Sequence, residues 1–171
     1  MYHYRRQSGF TLLEILVVLV LLGIILSVAV LSTGGDDTRK LEQDIQRMTQ
    51  LIRLAQEEAI LNGKELAIRF YPDGYEFQEL QDKEWLPLQD SNLFFRRQFA
   101  EEVKLEVRQD GVPVSLGEEE PVRVLLQSSG EMTPFEVYLG WYDDVDPIFL
   151  LIGNAIGKLT VKNIRDDSLS G

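Results

Sequence analysis

A long apolar run near the N-terminus constrains this sequence more than any other feature. Residues Phe10 to Leu31 carry only three polar side chains, those of Thr11, Glu14 and Ser27. As a helix rising 1.5 Å per residue, the run would be about 33 Å long, and a bilayer core is about 30 Å thick. The alternative is a buried helix of a soluble domain, but one small domain cannot surround such a length on all sides. The run therefore predicts a membrane-spanning helix.

The charges on either side of the run predict its orientation. Arg5 and Arg6 precede it, whereas Asp36 and Asp37 follow it. Because basic residues mark the cytoplasmic side of a membrane helix, the N-terminus is expected in the cytoplasm and the rest of the chain outside it. A secretory signal would instead have a shorter apolar core with a small-residue cleavage site behind it. Here the small residue, Gly9, comes before the run.

The residues around Gly9 resemble the processing site that type IV pilins share with the pseudopilins of type II secretion systems. The site reads Gly9-Phe10-Thr11-Leu12-Leu13-Glu14 behind a basic leader. The resemblance implies that a prepilin peptidase cleaves between Gly9 and Phe10 and that the new N-terminal Phe10 is methylated. It also implies a role in filament assembly for Glu14, the fifth residue of the mature chain.

Glu14 also has a physical argument that does not depend on the family. A carboxylate in a membrane helix costs about 2.5–3.5 kcal/mol at the bilayer centre, and less near a helix end, so it is expected to have a partner. By resemblance, that partner is the N-terminal amine of a neighbouring subunit, and the pair sets the axial register of the filament. The alternative is that Glu14 is protonated or reaches the membrane interface.

A second, amphipathic helix is predicted behind the apolar run. Residues 32–38 contain two glycines and several capping side chains, so a kink or a short unwinding is expected there. The helix should end at Asn62-Gly63, where a glycine can take the left-handed conformation. Its apolar stripe is expected to pack on the folded head, although it could instead bind a partner helix. The stripe consists of Leu41, Ile45, Met48, Ile52, Ala55 and Ala59.

Beyond Gly63 the apolar period changes to two, which predicts a head rich in β-strands. Asp73-Gly74 and Asp110-Gly111 indicate the turns of two hairpins. The run Ile148–Ile152 is typical of a strand buried on both faces. A long helix followed by about six to eight strands predicts an α+β fold, in which an antiparallel sheet or sandwich covers the helix stripe. The remaining strands are expected around Val122–Leu126, Phe135–Leu139 and Leu159–Val161.

The head resembles that of the H-type minor pseudopilins, which share their domain with FimT-like minor type IV pilins. The resemblance implies a type IV pilin-like fold with a leader at 1–9, a transmembrane helix at 10–31, a linker and amphipathic helix at 32–62, and a β-rich periplasmic head at 63–171. It is carried by Leu54–Ile60, Gly63, Glu65-Leu66, Asp73-Gly74-Tyr75, Trp85, Pro87-Leu88, Ser129-Gly130-Glu131 and Pro134-Phe135.

The same resemblance implies a function. The chain would be a structural subunit at the tip of the pseudopilus, anchored in the bacterial inner membrane, that helps a type II secretion system to export folded proteins. It would have no catalytic activity and no cofactor. Its partners would be the other minor and major pseudopilins, the prepilin peptidase and the inner-membrane secretion platform.

Charge and composition exclude several other functions. The net charge is −11, from 17 Lys and Arg against 28 Asp and Glu, which argues against binding to nucleic acid. Loss of the leader would make the mature chain more acidic still. With no Cys and with His3 as its only histidine, the chain cannot build a thiolate metal site or a His-based triad.

Two weaker local features are open to more than one interpretation. The acidic group Asp143, Asp144 and Asp146 could bind calcium, but it lacks the spacing of an EF-hand, so a solvated loop is the preferred interpretation. Trp85, Trp141 and Tyr142 are expected to pack in the core or in a subunit interface, and a ligand groove is the alternative.

Two rival functions remain. A FimT-like minor pilin in pilus assembly or DNA uptake would be favoured by a basic patch on the head. A membrane-anchored binding protein or enzyme would predict no processing at Gly9.

Overall fold

The structure is a computed structural model that describes residues 12–88, 93–117 and 121–165, without the side chains of residues 25–37. The chain divides into two compact units, Met1–Arg39 and Lys40–Gly171. A single helix, α1, is assigned over Leu12–Asn62. The predicted leader, residues 1–9, and Phe10 lie outside the described residues.

Ten strands follow α1 within the described ranges, and they form two antiparallel sheets. They are β1 (Leu66–Tyr71), β2 (Gly74–Gln81), β3 (Glu84–Pro87), β4 (Arg97–Gln98), β5 (Val103–Gln109), β6 (Val112–Pro113), β7 (Arg123–Leu126), β8 (Phe135–Trp141), β9 (Phe149–Gly153) and β10 (Leu159–Asn163). Sheet A has the order β3-β2-β1-β7, with β4 also paired to β2. Sheet B has the order β10-β9-β8-β5-β6. The predicted α+β class is confirmed.

The first unit consists, in its described part, of the beginning of α1. The apolar side chains between Leu12 and Ile24 are exposed. Among the residues that the structure describes, no helix combines the length and the apolar character needed to cross a membrane. The predicted span at residues 10–31 stays a prediction.

Helix α1 continues through Gly34 and Gly35, where the sequence predicts a kink or a short unwinding. The predicted unwinding is wrong, and the linker expected at the start of residues 32–62 is helical. Each glycine costs about 1 kcal/mol relative to alanine in a helix. Ending one helix and nucleating another is also unfavourable, whereas each added residue of an existing helix gains a hydrogen bond.

The second unit begins with the amphipathic part of α1, from Lys40 onward. All six residues of the predicted stripe, from Leu41 to Ala59, are fully buried in the head core, so the core-packing interpretation is confirmed. The helix ends at Asn62, as predicted. Gly63 has a φ of 62°, and the backbone N–H of Lys64 donates to the carbonyl of Ala59 at 3.0 Å. This left-handed cap satisfies one of the last helical carbonyls.

Both predicted hairpins are present, but the turn of the first is shifted by one residue. Tyr71 pairs with Gly74, so Pro72-Asp73 forms the turn and Gly74 is the first residue of β2. The second hairpin turns at Asp110-Gly111, whose φ angles of 52° and 76° suit the tight turn between β5 and β6. The hairpin between β2 and β3 was missed because its turn residues are Asp82-Lys83, which carry no glycine.

One core cluster joins the α1 stripe to the inward residues of both sheets. Alternate residues of each long strand enter it, for example Leu66, Ile68 and Phe70 of β1. Strand β9 corrects one prediction, because only Phe149, Leu151 and Gly153 are buried while the residues between them are partly exposed. An antiparallel sheet can leave one face to solvent, and an unbroken apolar run does not reveal which face that is.

Candidate assembly surface

The residues predicted to carry processing and assembly lie at the N-terminal end of the chain. Gly9 and Phe10 are outside the described residues. Glu14 lies in the first turn of α1 and is exposed. The structure therefore shows where Glu14 is, and the roles of all three residues stay predictions.

A second polar feature lies on the outward face of sheet A. Residues 66, 68 and 70 of β1 point into the core, so Arg69 and Tyr71 point outward. The register pairs Arg69 with Glu76 of β2 on one side and with Arg123 of β7 on the other. Three charged residues from three strands thus lie in one row. We call this surface the arginine face. It comprises Arg69, Tyr71, Glu76, Gln78, Arg96 and Arg123, of which Tyr71 and Gln78 are buried.

Hydrogen bonds link the members of the arginine face. The hydroxyl of Tyr71 and Nε2 of Gln78 both donate to Oε1 of Glu76, each at 2.7 Å. Nε of Arg123 donates to Oε1 of Gln78 at 2.8 Å. Burial, followed by the hydrogen bond to Glu76, raises the pKa of Tyr71 to about 12. The phenol therefore remains a donor, and Glu76 is held by two neighbours that are both neutral.

Aromatic rings orient the guanidinium groups. Cζ of Arg69 lies 4.6 Å from the centroid of the Tyr71 ring, and Cζ of Arg96 lies 4.1 Å from it. Arg123 lies over Trp85 at 5.8 Å. Stacking of this kind covers the flat side of a guanidinium and leaves its N–H edges for hydrogen bonding. Trp85 is half-buried on the same face, since it pairs with Leu80 of β2.

Among the residues that the structure describes, the positive charge on this face exceeds the negative charge of the neighbouring carboxylates. Arg96 forms an ion pair with Asp73 at 3.0 Å. The side chain of Arg69 makes neither a hydrogen bond nor an ion pair to any described residue, and its Nε is buried. Burial, and after it the charge of Arg69, lowers the pKa of Arg123 from its ordinary value. The two guanidinium groups therefore repel each other beside a single carboxylate, that of Glu76.

Sequence reasoning missed the arginine face. Period-two alternation already indicated that Arg69 points away from the core, and this was the available signal. Strand register, which brings Arg123 from a distant part of the chain to Arg69, is not visible in one sequence. Trp141 packs against the core cluster, as predicted, whereas Tyr142 is exposed and does not lie in the core.

The acidic loop predicted as a possible calcium site has other contacts. Oδ2 of Asp144 accepts a hydrogen bond from Arg165 at 2.6 Å. In the described ranges, no three or more His, Cys, Asp or Glu side chains are grouped so that they could hold a metal ion. The structure thus gives this loop an ion pair and no assembled ligand set.

Comparison with known proteins places the chain in a family. Residues 4–30 match the prokaryotic N-terminal methylation motif. Residues 44–155 match the type II transport protein GspH, and this match spans more than half of the chain. The chain belongs to the GspH family. The sequence-based resemblance to H-type minor pseudopilins is thereby confirmed.

Individual relatives of this GspH-family chain are similar over most of their length. A Pseudomonas aeruginosa protein named type II secretion system protein H is 34% identical over 149 residues, covering 79% of this chain and 84% of the relative. The protein of the same name from Aeromonas hydrophila is 29% identical over 170 residues, covering 91% and 93%. These relatives favour the secretion interpretation over the FimT-like one.

A solved structure supports the fold. The minor pseudopilin EpsH from the type 2 secretion system of Vibrio cholerae is similar with a TM-score of 0.63 and 23% identity, over 72% of this chain and 95% of that chain. The GspH-family head therefore has the pseudopilin fold that the sequence predicted.

Proposed function

We propose that this chain is a minor pseudopilin of a type II secretion system, a structural subunit at the pseudopilus tip that helps to export folded proteins across the outer membrane. The observation that carries the proposal is the presence, in one chain, of the methylation motif over residues 4–30 and the GspH match over residues 44–155. As a pseudopilin, the subunit acts by binding other pseudopilins. It supplies shape and contacts and has no catalytic role.

The first part of the proposal concerns the anchor. The leader, residues 1–9, is removed by a prepilin peptidase, Phe10 is methylated, and residues 10–31 hold the protein in the inner membrane with the head in the periplasm. Support comes from the exposed apolar side chains between Leu12 and Ile24. Exposure of a continuous apolar surface of this length to water is unfavourable, and such a surface marks a site of contact with a membrane or a protein. In this proposal the chain consists of a leader at 1–9, a transmembrane helix at 10–31, a helical segment at 32–62 and a β-rich periplasmic head at 63–171.

The second part concerns Glu14. Its carboxylate pairs with the N-terminal amine of a neighbouring pseudopilin and sets the register of the filament. Support comes from its position as the one charge within a long apolar segment, where a partner of opposite charge offsets the cost of burial in the membrane.

The test combines mass spectrometry with a secretion assay. The full chain is purified from membranes of a host with and without its prepilin peptidase, and its N-terminal peptide is sequenced. A chain that begins at methylated Phe10 only when the peptidase is present supports the proposal. A chain that begins at Met1 in both hosts would leave a plain membrane-anchored protein.

A secretion assay then distinguishes the pseudopilin function from the FimT-like alternative. In a strain that lacks this gene, wild-type protein should restore export, and Glu14→Ala should not. Glu42→Ala is the matched control, since Glu42 is an exposed carboxylate further along the same helix. Restored piliation or DNA uptake without restored secretion would favour the FimT-like alternative.

A further inference from the structure

We propose that the arginine face is a docking surface for an acidic segment of a neighbouring pseudopilin. The inference rests on the proposed function, which supplies the class of partner, and it adds the surface and the chemistry of the contact. The segment would place Asp or Glu side chains against Arg69 and Arg123.

Charge complementarity is the first argument. Asp73 forms an ion pair with Arg96, and the Oε1 atom of Glu76 already accepts two hydrogen bonds. The guanidinium of Arg123 donates one hydrogen bond within the described ranges, to the neutral side chain of Gln78. Arg69 has no ion pair within the described ranges, and its buried Nε has no acceptor. Incoming carboxylates would balance both charges through the outer N–H groups of the two guanidiniums.

Preorganisation is the second argument. A free arginine loses much side-chain entropy when it binds, whereas a guanidinium already stacked on a ring loses less. Arg69 and Arg96 are stacked on Tyr71, and Arg123 lies over Trp85. Tyr71 is itself held by its hydrogen bond to Glu76. The face is therefore arranged for bidentate recognition of carboxylates before any partner arrives.

The surroundings of the face suit a protein partner better than nucleic acid. Leu80, which is 39% exposed, and half-buried Trp85 form an apolar margin on the same side of sheet A. Aromatic and arginine side chains are the residue types enriched at protein interfaces. Glu76 and Asp73 lie among the arginines, so the face offers separate cations and not the continuous basic stripe that a phosphate backbone requires.

The experiment uses the full chain in membranes of a host that carries the complete secretion system. A photo-crosslinking phenylalanine derivative replaces Leu80 at the margin of the face. The same derivative in place of Leu61, which is 81% exposed on α1, reports on assembly at another surface. Cross-linked peptides are identified by mass spectrometry at low and at high salt.

The variant that tests the charges is Arg69→Glu with Arg123→Glu. Its matched control is Lys104→Glu with Lys162→Glu, which changes the net charge equally at exposed positions of sheet B. We expect the Leu80 position to capture a pseudopilin peptide that contains Asp or Glu. The yield should fall about tenfold or more in the arginine variant, stay unchanged in the control, and fall as salt rises.

Several results would overturn the inference. Examples are a captured peptide without acidic residues, a cross-link to lipid or nucleic acid, a cross-link to residues 118–120 of the same chain, or equal yield in the folded arginine variant. If Arg69→Glu with Arg123→Glu does not fold, as judged by protease resistance of the head, the salt dependence of the wild-type cross-link decides instead. A wild-type yield that is insensitive to salt contradicts a charged contact.

The two proposals fail in different ways. If the chain is no pseudopilin, neither Leu80 nor Leu61 captures a pseudopilin, and the N-terminus is unprocessed. If only the docking inference is wrong, the N-terminus is processed and wild-type protein restores secretion, while the Leu80 position captures no pseudopilin.

Discussion

Replacement of Gly74 tests the fold most sharply, because sequence and structure give different reasons for the glycine. An Asp-Gly pair between two strands suggests a turn in which glycine supplies a positive φ, and asparagine would then be the best substitute. In the structure Gly74 is the first residue of β2, and its φ is not positive. A Cβ at this position would overlap the backbone carbonyl of Arg97 in β4.

The size of the expected destabilisation depends on whether the group that the new Cβ meets can move. The carbonyl of Arg97 belongs to a two-residue strand that pairs with Gly74 and Tyr75, so it cannot move aside as the end of a flexible side chain could. Overpacking against a fixed group costs about 1–3 kcal/mol. For a chain of this size, each kcal/mol lowers Tm by about 2–4 °C. Gly74→Ala should therefore lower Tm by about 2–12 °C, and Gly74→Asn by at least as much.

The assay is thermal unfolding of the full chain in detergent, followed by circular dichroism. Gly117→Ala is the matched control, because φ is not positive there and, of the described residues, a Cβ would meet only the hydroxyl oxygen of Ser115 at an ordinary 3.6 Å. Its Tm should stay close to that of the wild type. If Gly74→Asn were as stable as the wild type while Gly74→Ala was not, the turn explanation would be correct and the steric one refuted.

Three further predictions concern the core, the arginine face and the pH dependence of stability. Ile52→Ala should lower the free energy of unfolding by about 2–5 kcal/mol, whereas Leu61→Ala at an exposed position of the same helix should change it by less than about 0.5 kcal/mol, both measured by denaturant titration. Tyr71→Phe should lower the free energy of unfolding by about 1 kcal/mol at neutral pH, because the hydrogen bond to Glu76 is lost and Oε1 of Glu76 is left with one donor fewer. The pKa of Tyr71 is raised in the folded state to about 12, so the stability linked to its proton is complete below pH 10 and is lost as the pH rises toward about 12. Unfolding titrations across this interval should show a smaller loss for Tyr71→Phe than for the wild type, and equal losses would contradict the assignment.

The local patterns predicted much of the head. The apolar stripe of α1 and the glycine that ends the helix follow from spacing and backbone conformation alone, and both are present. Alternation predicted the long strands and the turn at Asp110-Gly111. These features depend on residues close together in the chain, so one sequence contains the information.

Short strands and exact turns were harder to predict. Strands β3 and β4 have few residues and no clear alternation, and the turn before β2 lies one residue earlier than the Asp-Gly pair suggests. The unwinding expected at Gly34-Gly35 did not occur, because helix propagation outweighs a weak local preference. In each case a cooperative or long-range interaction decided between conformations that the local sequence allowed.

The sequence by itself determined the class of this protein. The processing motif, the apolar run and the acidic composition depend on residue identity and order, and they sufficed to indicate an anchored pseudopilin. Only the tertiary structure decided where Arg69 and Arg123 lie. The register of β1 against β7 joins positions more than fifty residues apart, and a shift of one residue would turn each side chain to the opposite face of the sheet. Packing of the inward residues in the core selects this register, and the arginine face is its consequence.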